Sequence, residues 1–598
     1  MVHLEFLDYV IIVSFFAVTL FVGLYVSKSS GQSSSAYFLS GRNMPWWLLG
    51  VSMVATTFST DTPNLVTDIV RNNGVSGNWV WWAFLLTGLL TVFVYARLWR
   101  KSNVNTDIEF YELRYGGKPA RFLRIFRAVY LGLFFNVLAM AAVTLAAIKI
   151  GSIILGLEPW HTVLIGGSVT VLFSAFGGFK GVVYTDFILF FVAMGGSIAA
   201  AFYLIDLPQV GGLSNLMQHE NVVDKLSFFP DFSNTELLVT LFIIPLAVQW
   251  WSAWYPGAEP GGGGYIAQRM LAAKNEKHAI GATFFFNIMH YALRPWPWIL
   301  VALASLIVFP DLQSIQNAFP GITEDKLGQD LAYSAMLTFL PSGLLGLLLA
   351  SLVAAYMSTI STHLNWGASY LVNDCYKQFF NKAASEKILV RVGRMATVLL
   401  LVLSAMLALI LQNALQLFDM ILMFGAGTGL IFILRWFWWR INAWSEISAM
   451  FSSGIISLLI NLTPLGLVLF GENDGLMAPY LKYPFVVLVT TIIWLLTMYF
   501  TKSESESVLK SFYALTQPGG PGWKQVHKPE KRNGEPWSVP FGIIAMLIGS
   551  VGIYASMFAV GSFLYGNTVT GVALVAICLT ATVLLIKLWP RISKTIET

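Results

Sequence analysis

Apolar runs of about 20 residues recur along the whole chain, and this feature constrains the fold more than any other. Each run is long enough to cross a hydrocarbon core roughly 30 Å thick as a helix, and a helix satisfies all the backbone polar groups of such a run. Only 11% of the 598 residues are charged, against roughly 25% in soluble globular domains. The sequence therefore predicts an all-α integral membrane protein.

Counting the apolar runs between polar breaks predicts about fifteen transmembrane helices. They lie near residues 8–27, 46–70, 78–99, 125–154, 160–179, 182–205, 235–268, 279–308, 341–373, 393–412, 416–438, 443–470, 483–501, 537–562 and 568–588. The residues before the first run lack the basic segment of a secretory signal, so we expect this run to stay as a span.

The distribution of basic residues predicts the orientation. With the loop after the first span placed in the cytoplasm, 30 of the 36 Lys and Arg residues fall on the cytoplasmic side, five fall outside, and Arg294 falls within a span. Such a bias is typical of the cytoplasmic loops of membrane proteins. We expect a multi-pass protein of the cell membrane with its N-terminus outside and its C-terminus in the cytoplasm. The net charge of +5 follows this topology and does not indicate a nucleic-acid partner.

Two spans contain residues that a regular lipid-facing helix would not tolerate. The second span packs hydroxyls, Asp61 and Pro63 at its middle, and the seventh carries two prolines, five glycines and Glu259 between Trp250 and Tyr265. The alternative, that both are loops between shorter spans, would disturb the charge alternation. Interrupted helices near the bilayer midplane are typical of the binding sites of secondary transporters.

The ninth span adds a hydroxyl-rich stretch to an otherwise apolar helix. Its members are Ser358, Thr359, Ser361 and Thr362. Such hydroxyls commonly join neighbouring helices, but together with carbonyls freed at a helix break they could also bind a desolvated sodium ion.

Four segments, Tyr37–Trp47, Thr106–Gly116, Gly177–Asp186 and Tyr265–Lys274, resemble the sodium/solute symporter family. The resemblance covers about residues 30 to 440. It implies a LeuT-like core of two inverted five-helix repeats on spans two to six and seven to eleven, with an interrupted helix opening each repeat. We expect an N-terminal helix within residues 1–30, this core at 31–440, and further helices at 441–598 with a cytoplasmic linker near 502–536.

The resemblance also implies an ion site and a gate. The implied sodium ligands are the carbonyl oxygens of Ala55, Phe58 and Ala355 and the hydroxyls of Ser358 and Thr359, with Asp186 nearby. Tyr265 resembles the aromatic inner gate of the family. From the sequence alone, Asp186 could instead be an acid at a helix end, and Tyr265 a tyrosine of the membrane interface.

The substrate does not carry over with the resemblance. In the family's sodium/galactose transporter a Gln and a Glu hold the sugar, and their positions correspond here to Thr62 and Trp81. A sugar-binding lysine falls near His290, with Arg294 one helical turn further along. The remaining polar candidates are Asp61, Glu259 and Asp419. An arginine at span depth needs a partner, which could be one of these carboxylates or an anionic substrate.

These features predict a sodium-coupled symporter that imports a small polar organic solute by alternating access, and that works as a monomer by family analogy. A sugar or sugar-like solute is favoured; an amino acid, sialic acid or organic acid is the alternative. We expect no enzyme, because no catalytic constellation is present. A channel is disfavoured by the lack of a filter-like repeat, and a transporter-like sensor by the end of the chain at Thr598.

Overall fold

The computed structural model describes residues 4–27, 33–252, 260–320, 327–411, 423–471, 475–526 and 537–593. Within these ranges, ten helices are long and apolar enough to cross a membrane. The main helices are α1 (Phe6–Ser27), α2 (Trp46–Thr56), α3 (Asp61–Asn73), α4 (Val75–Ser102), α5 (Gly117–Ser152), α6 (Pro159–Ile205), α7 (Thr235–Ala247), α8 (Gly264–Ala272), α9 (Glu276–Val308), α10 (Leu344–Phe380), α11 (Glu386–Ile410), α12 (Gly429–Leu434), α13 (Ala443–Leu462), α14 (Lys482–Phe500), α15 (Glu506–Thr516), α16 (Val539–Leu564) and α17 (Thr568–Ser593).

The all-helical membrane architecture predicted from the sequence is confirmed, whereas the count of fifteen spans stays a prediction. Shorter helices join the main ones. They include Ser34–Leu39, Gly212–Gln218, Leu312–Ala318, Leu331–Leu337 and Pro464–Phe470.

Helix α6 corresponds to two predicted spans joined at one glycine. Its 47 residues would extend for about 70 Å as a straight helix, more than twice the thickness of a hydrocarbon core. Gly178 interrupts it with φ 55° and ψ −164°. A Cβ at Gly178 would also lie 2.9 Å from the carbonyl oxygen of Tyr37. Glycine is required here for both the backbone angle and the close approach.

The interruption predicted in the second span is confirmed. Helix α2 ends at Thr56 and α3 begins at Asp61. Pro63 lies in the first turn of α3, where a missing N–H costs little because the first N–H groups of a helix have no partner within it.

The seventh span is interrupted as well. Helix α7 ends at Ala247 and α8 begins only at Gly264. Gly261, Gly262 and Gly264 have positive φ, which ends any continuous helix before α8. Residues 253–259 of the predicted interruption lie outside the described ones.

The connections gather at two opposite ends of the helix bundle. At one end, which we call the inner end, Met44 pairs with Ala273, and Arg42 donates to the carbonyl of Val104 over 2.7 Å. At the other end, the N–H of Val75 donates to the carbonyl of Lys225 over 2.8 Å. This arrangement fits helices that cross the membrane in alternating directions. The assignment of the inner end to the cytoplasm stays a prediction.

Two peripheral helices contact the bundle in different ways. The Asp8 carboxylate of α1 accepts the N–H groups of Gly343 and Gly346, each over 2.8 Å, at the start of α10. Helix α17 packs on α16 and exposes apolar side chains such as Val569 and Leu579. An exposed apolar face is expected where lipid is the solvent.

We expected a cytoplasmic linker near residues 502–536, and the structure describes this segment as far as residue 526. The described part packs onto the inner end. Within residues 502–526, helix α15 and Trp523 contact the buried Arg114, whose guanidinium lies 5.4 Å from the ring of Phe512 and 5.2 Å from that of Trp523. Arg114 also donates to the carbonyls of Arg435 and Ile441 over 2.8 and 3.1 Å. Residues 527–536 lie outside the described ones.

Arg114→Ala should lower the free energy of unfolding by roughly 2 kcal/mol, because each lost hydrogen bond contributes about 1 kcal/mol and the stacking is lost too. Thermal unfolding of the purified protein in detergent measures this change. The matched control is Arg121→Ala, seven residues further along, whose side chain is 65% exposed and whose ion pair with Glu112 contributes less than about 1 kcal/mol. Equal melting temperatures for the two variants would contradict the packed arrangement.

Candidate ion and solute site

The break between α2 and α3 leaves backbone carbonyls without helical partners, and α10 supplies hydrogen-bond donors to them. The hydroxyl of Thr359 donates to the carbonyl oxygens of Thr56 and Phe58 over 3.1 and 3.0 Å. Ala55 and Ala355 are buried on the same two facing helices. The fold therefore brings the helix break and the hydroxyl-rich stretch into direct contact.

Asp186 lies beside these oxygens, fully buried on α6. Ser358 of α10 donates its hydroxyl to the carboxylate over 2.7 Å, and Ser52 of α2 donates to its other oxygen. A buried carboxylate needs a charged partner as well, and Arg269 of α8 supplies it over 3.2 Å.

The charge distribution along the sequence assigns Arg269 to a cytoplasmic loop and does not identify it as a site residue. In the structure Arg269 is fully buried next to Asp186, so a second basic residue besides Arg294 lies inside the helix bundle. The available signal was its spacing: Arg269 follows Tyr265 by four residues, so both lie on one face of α8.

Tyr265 is buried at the inner side of the break. Its hydroxyl lies 3.2 Å from that of Thr57, and its ring centroid lies 5.9 Å from that of His363 on α10. Its side chain is therefore buried between the α2–α3 break and α10 and does not face lipid. Its action as a gate stays a prediction.

Three of the residues considered for the solute lie together on α4 and α9. The ring of Trp81 lies 5.9 Å from that of His290, and Nε2 of His290 lies 3.3 Å from the guanidinium of Arg294. Arg294 in turn lies over the rings of Phe58 and Trp298, at 5.2 and 5.3 Å. This cluster thus reaches the helix break through Phe58.

The remaining candidates are placed differently. The hydroxyl of Thr62 accepts the N–H of Ser59 over 3.1 Å and so satisfies the backbone of the break. Asp61 starts α3 and interacts electrostatically with Arg294. Glu259 and Asp419 lie outside the described residues.

Comparison with known proteins agrees with this geometry. The model of the sodium:solute symporter family matches residues 37–456. The sodium/glucose cotransporter of Vibrio parahaemolyticus is 26% identical over 482 residues, covering 78% of this chain and 87% of its own. The sodium/mannose cotransporter SLC5A10 of Bos taurus is 26% identical over 472 residues, covering 74% and 76%. These relatives are transporters and not enzymes.

A solved structure shows the same fold. A Na+-coupled sialic acid symporter in a substrate-bound outward-open state superposes with a TM-score of 0.67 and 20% identity, over 84% of this chain and 99% of that one. The LeuT-like fold implied by the sequence resemblance is thereby confirmed. The family model matches residues 37–456, which is most of the chain and includes both interrupted helices and the α10 hydroxyls. The chain therefore belongs to the sodium:solute symporter family.

Proposed function

We propose that this protein is a sodium-coupled symporter that imports a sugar or sugar-like solute by alternating access. The observation that carries the proposal is the contact of the Thr359 hydroxyl with two carbonyls of the helix break, at 3.1 and 3.0 Å. Family membership supports sodium as the coupling ion, and relatives named for glucose and mannose support the class of solute.

Sodium fits the chemistry of this site. The five implied ligands of the ion are all oxygens, as hard cations prefer. They are the carbonyl oxygens of Ala55, Phe58 and Ala355 and the hydroxyl oxygens of Ser358 and Thr359. Freed carbonyls at interrupted helices coordinate sodium in transporters of this architecture. The Thr359 hydroxyl can rotate its hydrogen away from the carbonyls, so that its own oxygen faces the same ion.

The ion then links two parts of the protein that must move relative to each other. Bound between the α2–α3 break and α10, sodium stabilises the outward-open state and completes the solute site beside the break. Solute binding favours closure of the outer side. Release of sodium on the inner side is driven by its gradient and by the membrane potential, which contributes about 2.3 kcal/mol per charge per 100 mV.

The cluster on α4 and α9 suits a ring-shaped neutral solute. The rings of Trp81 and Tyr291 stack with their centroids 6.0 Å apart, and flat aromatic faces pack against the apolar face of a sugar. Asp61 lies within the electrostatic reach of Arg294, and in this proposal the two opposite charges need no anionic solute. Asp61, Trp81, His290 and Arg294 are the residues that we assign to the solute.

A carboxylated solute is the second candidate, and the position of Arg294 favours it. Its guanidinium lies against Phe58 and Trp298, and a planar guanidinium matches the geometry of a carboxylate. In this case Arg294 would bind the solute instead of balancing Asp61.

Thr359→Ala should raise the half-maximal sodium concentration for uptake roughly tenfold, since each 1.4 kcal/mol lost from binding weakens affinity by that factor. Uptake into proteoliposomes, with sodium titrated against potassium, measures the shift. Ser369→Ala is the matched control, because Ser369 is buried on the same helix but donates to the carbonyl of Trp366 over 2.7 Å. A sodium dependence identical in Thr359→Ala and the control would reject the ion site.

A panel of solutes separates the two candidates. Neutral hexoses and polyols should raise the melting temperature of the purified protein only in sodium, whereas glucuronate and amino acids should not. Arg294→Gln should reduce the response to all neutral solutes alike, because it leaves Asp61 without its compensating charge. A response to carboxylated solutes that Arg294→Gln selectively removes would favour the second candidate instead.

A further inference from the structure

Arg269 makes more polar contacts across the helix bundle than its ion pair with Asp186 requires. Its guanidinium donates to the hydroxyls of Ser52 and Thr56 on α2 and of Thr362 on α10, each over 2.9 Å. Together with Asp186 on α6, these partners come from three helices. One side chain of α8 thus joins both interrupted helices to α6 and α10.

Asp186 extends this network to the ion site. Its Oδ1 accepts the hydroxyl of Ser358 over 2.7 Å, while its Oδ2 accepts from Arg269 over 3.2 Å. A serine that donates its hydrogen to a carboxylate keeps its oxygen lone pairs for another partner. Asp186 therefore orients the Ser358 oxygen for an ion, in the way that outer partners orient metal ligands.

The rest of α8 is also held by polar contacts. The N–H of Gly264 donates to Asp107 over 2.8 Å, and Gln268 donates to Asn365 of α10 over 2.9 Å. Such hydrogen bonds contribute only about 1 kcal/mol each, because water replaces them when they open. Water that enters the inner side can replace these hydrogen bonds. The ion pair of Arg269 with Asp186 is the polar contact of α8 that is costly to break, and apolar packing of its buried side chains adds to it.

We propose that Arg269 is a positioning residue that couples the sodium site to α8, the inner half of the second interrupted helix. Through Asp186 it fixes the orientation of the Ser358 hydroxyl, and through Thr362 and the α2 hydroxyls it holds α8 closed against α10. This inference rests on the proposed function. It adds that an occupied ion site keeps α8 closed, and that loss of the ion weakens the contacts of Arg269.

The coupling follows from the carboxylate that the two sites share. Asp186 holds the Ser358 hydroxyl at its Oδ1, and Arg269 of α8 fixes the same carboxylate at its Oδ2. Movement of α8 away from α6 therefore removes both the cation that compensates Asp186 and the contact that keeps Ser358 oriented toward the ion. Breaking one partner away from a buried charge pair is strongly unfavourable. Release of sodium and movement of α8 are therefore linked events.

Arg269→Lys tests this role, because lysine keeps the charge but lacks the planar fork that reaches four partners. Thr362→Val is a milder variant that removes one partner. Thr283→Val is the matched control, since Thr283 is buried and donates to carbonyls of its own helix. Each is made in a background with Cys375→Ser, Cys578→Ser and Ala272→Cys, which places a single thiol at the buried inner end of α8.

Two readouts are needed, and neither requires the solute. The first is the sodium concentration that half-maximally stabilises the purified protein against heat. The second is the rate at which maleimide labels the thiol at position 272, with and without sodium. We expect Arg269→Lys to raise the half-maximal sodium concentration about tenfold and to speed labelling in sodium at least threefold. Thr362→Val should shift both readouts in the same direction, by about threefold in sodium concentration.

The outcomes separate this inference from the proposed function. The parent protein is the one that carries only the three cysteine changes. If its stability does not respond to sodium, both the proposed function and this inference are overturned. If it responds, and the variants change only the melting temperature in the absence of sodium, Arg269 has a purely structural role and the inference alone is overturned. A shift in labelling without a shift in sodium dependence, or the reverse, would also overturn the coupling.

Discussion

The backbone carbonyls freed between α2 and α3 are the constraint on which the site depends. Inside a bilayer an unpaired carbonyl costs several kcal/mol, so a helix can be interrupted there only where another group satisfies it. Thr359 of α10 provides that group for Thr56 and Phe58. The same contact explains why α10 carries hydroxyls at a buried position, and it creates a concentration of oxygens that suits a small cation.

Buried ion pairs form the second layer of organisation. Asp186 pairs with Arg269 at the ion site, while Arg435 pairs with Glu446 over 2.8 Å and Arg124 with Asp374 over 2.7 Å at the inner end. Such pairs contribute little net stability compared with apolar packing, but separating one is costly. They suit a transporter, because they favour defined arrangements of helices that move as units.

The site and the inner end are connected through α8. Its Tyr265 contacts Thr57 at the break, its Arg269 contacts Asp186, and its first residue donates to Asp107 in the connection between α4 and α5. Helix α15 and Trp523 pack around Arg114 at the same end. The parts that must separate for release on the inner side are thus held by hydrogen bonds, ion pairs and aromatic contacts in addition to apolar packing.

The sequence by itself determined the helical membrane architecture, the interruption near Pro63 and the oxygens of α10, because apolar length, proline and hydroxyl clusters act locally. The resemblance to the family also named Asp186. Only the tertiary structure decided which charges meet: Arg269 was counted in a loop, Thr62 satisfies the backbone of Ser59, and residues 506–516 form a packed helix instead of a linker. These contacts join residues far apart in the chain, such as Asp186 and Arg269, and no local pattern encodes the distance between two helices. The physical reason is that hydropathy fixes what each segment buries, whereas helix packing fixes its partners.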